Sequence, residues 1–278
     1  MIEQIHDGLT IRLKSWHDLS WLKQFGQVFC VFDQLISGNL CFGITDGERR
    51  YFIKYAGAPT LMYAGQPEAA VRQLKAAQPK YLELQHPALN QLVHAFDTPQ
   101  GHGLIFHWFD GFALAPLEMH LKRLKALPLI EKLAMFDSLM DVLVQAEALD
   151  YLVAGLSDHH ILVDFERTRP LLSSVSHFVR FPASVPHPKL PGTIWYIPPE
   201  GYRVGTALDA CANAYALGAL AFTFFGNQMT RSIRDWGAGE PLYDIAAAAL
   251  ANDPGERTKT AAAFQRQWRE AVLRIPKF

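Results

Sequence analysis

The chain has little of what marks several large classes of protein. Its 278 residues hold only three cysteines, Cys30, Cys41 and Cys211, with no C-x-x-C spacing. That leaves a cytoplasmic protein with reduced thiols as the plain reading. Charge of one sign is missing as well: the net charge is −1. No electrostatic footprint for nucleic acid or an anionic membrane follows from it. There is no long Lys/Arg run, low-complexity tract or internal repeat. The first residues, M-I-E-Q-I-H-D-G, lack a basic region followed by an apolar block, so no signal peptide is expected. The one long apolar run, Ala210 to Gly226, is too short to span a membrane, carries Asn213 and has no basic flank. A buried helix is expected there.

What is present is an ordinary globular composition, half hydrophobic and 19% charged, long enough for one large domain or two lobes. Val28–Ile36 and Leu40–Ile44 are β-branched and aromatic runs separated by Ser37-Gly38-Asn39. Asp46-Gly47 then turns into R-Y-F-I-K-Y-A, which makes a three-strand meander. A helix is expected from about Pro67 to Gln78, interrupted at Pro79, followed by strands around Leu92–Phe96 and Gly103–Trp108. After D-G-F-A at Asp110–Ala113 the character becomes helical. Glu131–Asp150 carries Leu133, Phe136, Met140, Leu143 and Ala146 at three- and four-residue steps. Short strands at Ile161–Asp164 and Leu171–Ser173 precede a Pro-rich stretch. Helices at Ala210–Phe225, Tyr243–Ala251 and Thr260–Arg274 complete the chain. The expected fold is α+β, with a small antiparallel β-rich lobe over residues 1–110 and a larger α-helical lobe over 111–278. Trp16, Trp21 and Leu22 belong to an extension expected to lie before the first strand and to pack on the small lobe.

Five separated motifs in this order resemble the protein-kinase superfamily, nearest to small divergent bacterial serine/threonine protein kinases, from about Val28 to Trp268. Y-F-I-K at Tyr51–Lys54 looks like the third-strand lysine motif. Q-H-P-A-L-N-Q-L at Gln85–Leu92 resembles the turn after helix C. L-I-F-H-W-F-D-G at Leu104–Gly111 looks like the fifth strand and hinge. G-T-I-W-Y-I-P-P-E at Gly192–Glu200 resembles the motif that closes the activation segment, and N-D-P-G-E-R-T-K-T at Asn252–Thr260 the D-P-x-x-R-x-T before the last helix. The resemblance implies that Lys54 reaches the ATP phosphates, with Gly38 in the phosphate cover, Phe106 at the back of the pocket and the backbone of His107–Phe109 on the adenine edge. Alone, Lys54 would read as a solvated strand-end lysine. Glu200 and Arg257 are implied to form an architectural ion pair. Asn213 falls where the family's central helix carries aspartate.

The chemical parts of the pattern are missing. Aligning I-L-V-D at Ile161–Asp164 puts Gly155 at the catalytic aspartate and His160 at the metal-binding asparagine. Ser173 or Ser174 falls where the D-F-G aspartate binds metal, and a serine is no sole anchor for Mg²⁺. The glycine loop, I-S-G-N-L-C-F-G, has two glycines, and neither Glu68 nor Glu83 is spaced to pair with Lys54. Three functions follow. The first is a pseudokinase: a regulatory or binding module with a residual ATP pocket and no need of Mg²⁺. The second is an active atypical serine/threonine kinase in which Asp158 serves as substitute base and Asp164, with Asp158 and His160, holds a metal. The third is a small-molecule phosphotransferase of the aminoglycoside or choline kinase type, whose H-G-D-x-x-x-x-N is absent. The bland alternatives are a loop whose imidazoles bond to backbone, and an Asp164 that caps a strand end. The Pro-rich segment Phe181–Pro191 is the expected docking surface for a protein partner, its prolines limiting the entropy lost on binding. A merely rigid surface loop is the other reading.

Overall fold

Asp7 and Gly8 both have positive φ, 49° and 80°, the conformation a two-residue hairpin turn demands. In a computed structural model describing residues 1–275, they join β1 (Ile2–His6) to β2 (Leu9–Leu13) in antiparallel register. The expectation that no strand precedes Val28 is thereby corrected. I-E-Q-I-H and L-T-I-R-L alternate apolar and polar residues on either side of an Asp-Gly pair, which is a hairpin pattern.

Among the described residues the fold is α+β, with six α-helices and several small antiparallel sheets. It divides into two compact units, Met1–Asp110 and the chain from Gly111 onward. In the first unit β3 (Gln27–Phe32), β4 (Asn39–Thr45), β5 (Arg50–Ala56), β6 (Leu92–Thr98) and β7 (Gly101–His107) form one antiparallel sheet in the order β3-β4-β5-β7-β6. The strand expected to reach Ile36 stops at Phe32, because the buried Asp33 side chain accepts the Arg12 backbone N–H at 2.8 Å. One sheet face carries Phe42, Ile53, Tyr55 and Ile105. It buries them against Ile11, Leu13, Trp21 and Leu22. The expectation for Trp21 and Leu22 therefore holds, whereas Trp16 is 67% exposed.

The other face is covered by α1 (Pro67–Glu83), which packs on β5 and β7. This helix runs through Pro79, against the sequence expectation. The proline removes one backbone bond and costs about 3 kcal/mol. The apolar stripe Ala70, Leu74, Ala77, Tyr81 continues past it and is buried throughout. Burying Tyr81 and Leu84 beyond the proline recovers about 1.5–3 kcal/mol for each side chain, so the helix persists.

In the second unit α2 (Glu118–Ala126), α3 (Leu129–Ala148), α4 (Cys211–Phe225), α5 (Glu240–Ala249) and α6 (Ala261–Val272) surround short strands. These are β8 (Phe112–Ala113), β9 (Tyr151–Leu152), β10 (Ile161–Asp164), β11 (Arg169–Leu172), β12 (Val179–Arg180), β13 (Ala183–Ser184) and β14 (Ala207–Leu208). Strands β8, β10 and β11 form a three-stranded sheet, while β9 pairs with β12 and β13 with β14. The five apolar residues predicted for α3 are all buried. Every residue of α4 is buried too, and it packs on α3, α5 and α6. Among the described residues no helix is long and apolar enough to cross a membrane.

Candidate functional site

In the first unit Lys54 stands mid-strand in β5, opposite Leu104 of β7. It is 8% exposed, so the solvated strand-end lysine is excluded. Its ammonium lies 5.4 Å from the centre of the Phe106 ring and 5.5 Å from that of Tyr81, and donates to the Tyr81 hydroxyl at 3.1 Å. Two aromatic faces and a phenol thus help to hold a cation in a desolvated place. Tyr81 and Phe106 are themselves packed edge to face at 4.8 Å. The sheet alternation puts Lys54 and Phe106 on one face and His107 on the other, where its exposed ring stacks on Tyr51. Phe109 is half-buried just beyond the strand end. Gly38 lies in the β3–β4 turn at φ 77°. A Cβ there would meet the Tyr63 ring at 2.7 Å and the Ala70 Cβ at 2.9 Å. Packing, as well as the turn, requires this glycine. Of the five residues expected to hold nucleotide, Lys54 and Phe106 are brought together, and Tyr81 is the neighbour that sequence reasoning missed.

In the second unit the loop before β10 holds the positions at which the resemblance expects acids. Gly155, at the expected base position, has φ 76°, and a Cβ built on it would lie 2.4 Å from the Cβ of His177. The His160 ring bonds to the Gly155 carbonyl at 3.2 Å, as the backbone-bonding alternative expects. Asp158 is half-buried and bonded through one of its two oxygens. Its Oδ1 accepts the Tyr196 hydroxyl at 2.5 Å and the Gln228 amide at 3.5 Å. Tyr196 also bonds Thr223 at 2.7 Å, and Gln228 donates to the same threonine hydroxyl. Burial raises the Asp158 carboxyl above its ordinary value, partly offset by the bonds from Tyr196 and Gln228. Burial and the Asp158 charge push Tyr196 well above its own, so the phenol stays the donor. Thr193 of the closing motif donates to the Ser157 hydroxyl at 2.9 Å, which ties this segment to the same loop.

Asp164, buried at the end of β10, turns the chain toward β11. Its carboxylate accepts the backbone N–H groups of Glu166 at 3.1 Å and Arg167 at 3.0 Å, and the Arg167 guanidinium at 3.1 Å. Arg169 adds an ion pair at 3.6 Å. Burial works to raise the Asp164 carboxyl, but the Arg167 and Glu166 bonds together hold it below the ordinary range. It caps a turn. Ser174 bonds to the Ser176 hydroxyl at 3.2 Å, and the Ser173 N–H reaches the His160 carbonyl at 2.8 Å. Among the described residues no group of three or more His, Cys, Asp or Glu side chains is arranged to hold a metal ion. The magnesium that the kinase resemblance implies requires carboxylate oxygens left open to it, and the residues present do not fit it.

The structural residues are well connected. Arg257, with a fully buried side chain, donates through both terminal nitrogens to Glu200, at 2.6 and 3.0 Å. Its Nε donates to the Ala251 carbonyl at 3.0 Å. Asn213, also fully buried, accepts the Val153 N–H at 2.7 Å and donates to the Tyr151 carbonyl at 2.9 Å. Its amide donates as well to Glu147 at 3.2 Å. Glu147 in turn accepts the backbone N–H groups of Ala261 and Ala262, at 2.9 and 3.2 Å, at the start of α6. A carboxylate suits a helix N-terminus. Only a donor suits the place between that carboxylate and the Tyr151 carbonyl, so an amide stands where the kinase motif has an acid. Thr223, Gln228 and Glu147 lay outside the sequence prediction, and Tyr196 entered it only as part of the closing motif, because their partners are distant in the chain.

No protein-family model matches the chain, and no curated protein matches it.

Proposed function

We propose that this chain is a protein-kinase-like regulatory or binding module that transfers no phosphate, its two units being the β-rich and helical lobes of that fold. Three features support the fold reading: the order of a five-stranded antiparallel sheet with one helix before a helix-rich unit, the Glu200–Arg257 pair, and the desolvated Lys54. The observation that carries the loss of transfer is Gly155. Its positive φ and the His177 Cβ in its side-chain space leave no room for a catalytic carboxylate. Absence of a general base alone costs about 10²–10⁴ in rate. Lack of an anchored metal removes much of the charge stabilisation on which phosphoryl transfer depends. Lys54 remains able to meet a phosphate, so binding of ATP, where it occurs, is independent of divalent metal. The Pro-rich segment is the proposed docking surface. Val185 and Leu190 anchor it in a local core with Leu152 and Ile197, and Pro186, His187 and Pro188 form its exposed tip.

Purified protein is incubated with labelled ATP and Mg²⁺ or Mn²⁺, alone and with general acceptor proteins, beside a Lys54→Ala variant. Incorporation no greater than in the variant is expected, and melting shifts with ATP should be equal with and without metal. Transfer that needs metal and disappears in Lys54→Ala would overturn the proposal. A second reading, an atypical kinase using Asp158, is favoured by one observation. Among the described residues Asp158 Oδ2 accepts no hydrogen bond, on a carboxyl made more basic by burial. Any measured transfer lost in Asp158→Asn would establish that reading.

A further inference from the structure

Far from Lys54 in the same unit, on the opposite side of the sheet, two neighbouring cavities of about 270 and 590 Å³ share the residues Trp16, Asp18 and Ser20. The larger lies within the range of small-ligand sites. Its walls include Trp21, Phe25 and Phe96, which form a continuous ring cluster with centroids 4.7 to 6.2 Å apart. Trp16, by contrast, leaves two thirds of its surface in solvent. Tryptophan carries the largest apolar surface of any residue and is highly buried on average.

A carboxylate, that of Asp18, belongs to the same lining. Asp18 is exposed, and its carboxylate is held below the ordinary range by the Ser20 backbone N–H, which donates at 2.9 Å. Its own N–H donates to the Gln100 side chain at 3.4 Å, so the loop carrying it is braced on both sides. Among the described residues Asp18 makes no ion pair. The neighbouring His17 is buried, hydrogen-bonded to Tyr55 at 2.9 Å and lowered in pKa by burial, so it brings no charge. Asp97, the other acid on the larger cavity, is already paired with Lys75 at 2.7 Å and His102 at 3.0 Å. No lysine or arginine lines that cavity; Lys23 lines the smaller one. An exposed indole and a carboxylate without an ion pair, both on the lining of a cavity whose wall is partly aromatic, suit an organic cation. A ring face attracts the cation, the acid pairs with it, and the apolar wall takes its alkyl chain.

We propose that this cleft binds an alkyl-guanidinium or alkyl-ammonium ligand, its cation on Trp16 and Asp18 and its chain in the larger cavity. The inference is independent of the kinase reading, since none of these residues belongs to the Lys54 face. The test is calorimetric titration of the full chain with pentylguanidine, with a Gly-Arg-Gly peptide, and with pentylurea as an uncharged isostere of similar size. Saturable binding of a cationic probe is expected, with pentylurea weaker by about tenfold. Trp16→Ala and Asp18→Asn should each weaken the cation by about two- to fivefold, with only a small change in melting temperature, because both side chains are on the surface. Trp16→Phe should retain most of the affinity. Pentylguanidine binding points to a free small molecule, and binding of the peptide alone points to an arginine side chain of a polypeptide. Absence of saturable binding by either cation at millimolar concentration overturns the proposal, as does equal affinity for pentylurea or an affinity unchanged in Asp18→Asn.

Discussion

Two regions of the second unit, built on the same loops and helices, differ in what they do with charge. At the junction of α3, α4 and α6, Glu147, Asn213, Glu200 and Arg257 each meet partners of complementary type, and the buried arginine is satisfied on three sides. In the loop from Gly155 to Asp164, both oxygens of Asp164 are engaged, but among the described residues Asp158 is bonded through Oδ1 alone. Carboxylates that serve a metal or a substrate must keep lone pairs open. Asp164 gives its oxygens to the turn and to two arginines. The same physics that makes the junction stable leaves Asp164 few lone pairs for any other partner. The lesson is that acids serving architecture and acids open to chemistry can be separated by asking which oxygens still await a partner.

The comparison can be broken most forcefully at the junction. Arg257→Ala leaves the Glu200 carboxylate without its buried partner and should cost about 3–5 kcal/mol, read by urea denaturation. A loss under 1 kcal/mol would mean that the pair is ornamental. Next comes Asn213, where Ala should cost about 1–3 kcal/mol through orphaned bonds. Asp, although it is the residue of the resembled motif, should cost more at pH 7, because it sets a second carboxylate against Glu147. The difference between the two variants should close as the pH falls below the carboxylate range. A pH-independent difference would mean that repulsion is not the cause.

The loop is tested by smaller effects. Gly155→Ala should lose about 1–3 kcal/mol, through the left-handed backbone and the His177 clash, and Gly155→Asp should restore no phosphate transfer. Smallest is the pH dependence of Asp158. Its carboxyl titrates higher in the folded chain than in the unfolded one. The stability it contributes is therefore fully present below the unfolded carboxyl value of about 3.9 and is lost as pH rises through the folded value. Melting temperatures of the wild type relative to Asp158→Asn should fall across that interval and level off above it. A difference that rises with pH would show the opposite shift.

Much of the fold was legible because it is written in short-range periodicity. The meander from Gln27 to Ala56, the α3 stripe and the all-apolar α4 needed only neighbouring residues to be recognised. Misses have physical causes. Helix α1 crosses Pro79 because buried Tyr81 outweighs one missing bond. Helix α2 has only Leu124 buried in E-M-H-L-K-R-L-K-A, so its stripe is too thin to read. The hairpin at the start was overlooked although Asp7-Gly8 announces it. At the candidate site the positions of Lys54, Glu200 and Arg257 were visible as motifs. The locking of Asp158 by Tyr196 and Gln228, 38 and 70 residues away, was not.

By itself, then, the sequence determined the β3–β5 meander, the α3 stripe, the burial of α4 and which positions of the resembled motifs lack an acid, since these depend on side-chain type and local spacing. Only the tertiary structure decided whether the remaining acids were available. It closed Asp164 into a turn, tied Asp158 Oδ1 to a buried phenol and an amide, and put an amide at 213 to face Glu147. The reason is that a carboxylate's chemistry is set by what surrounds its oxygens, and those neighbours come from parts of the chain that only folding brings together.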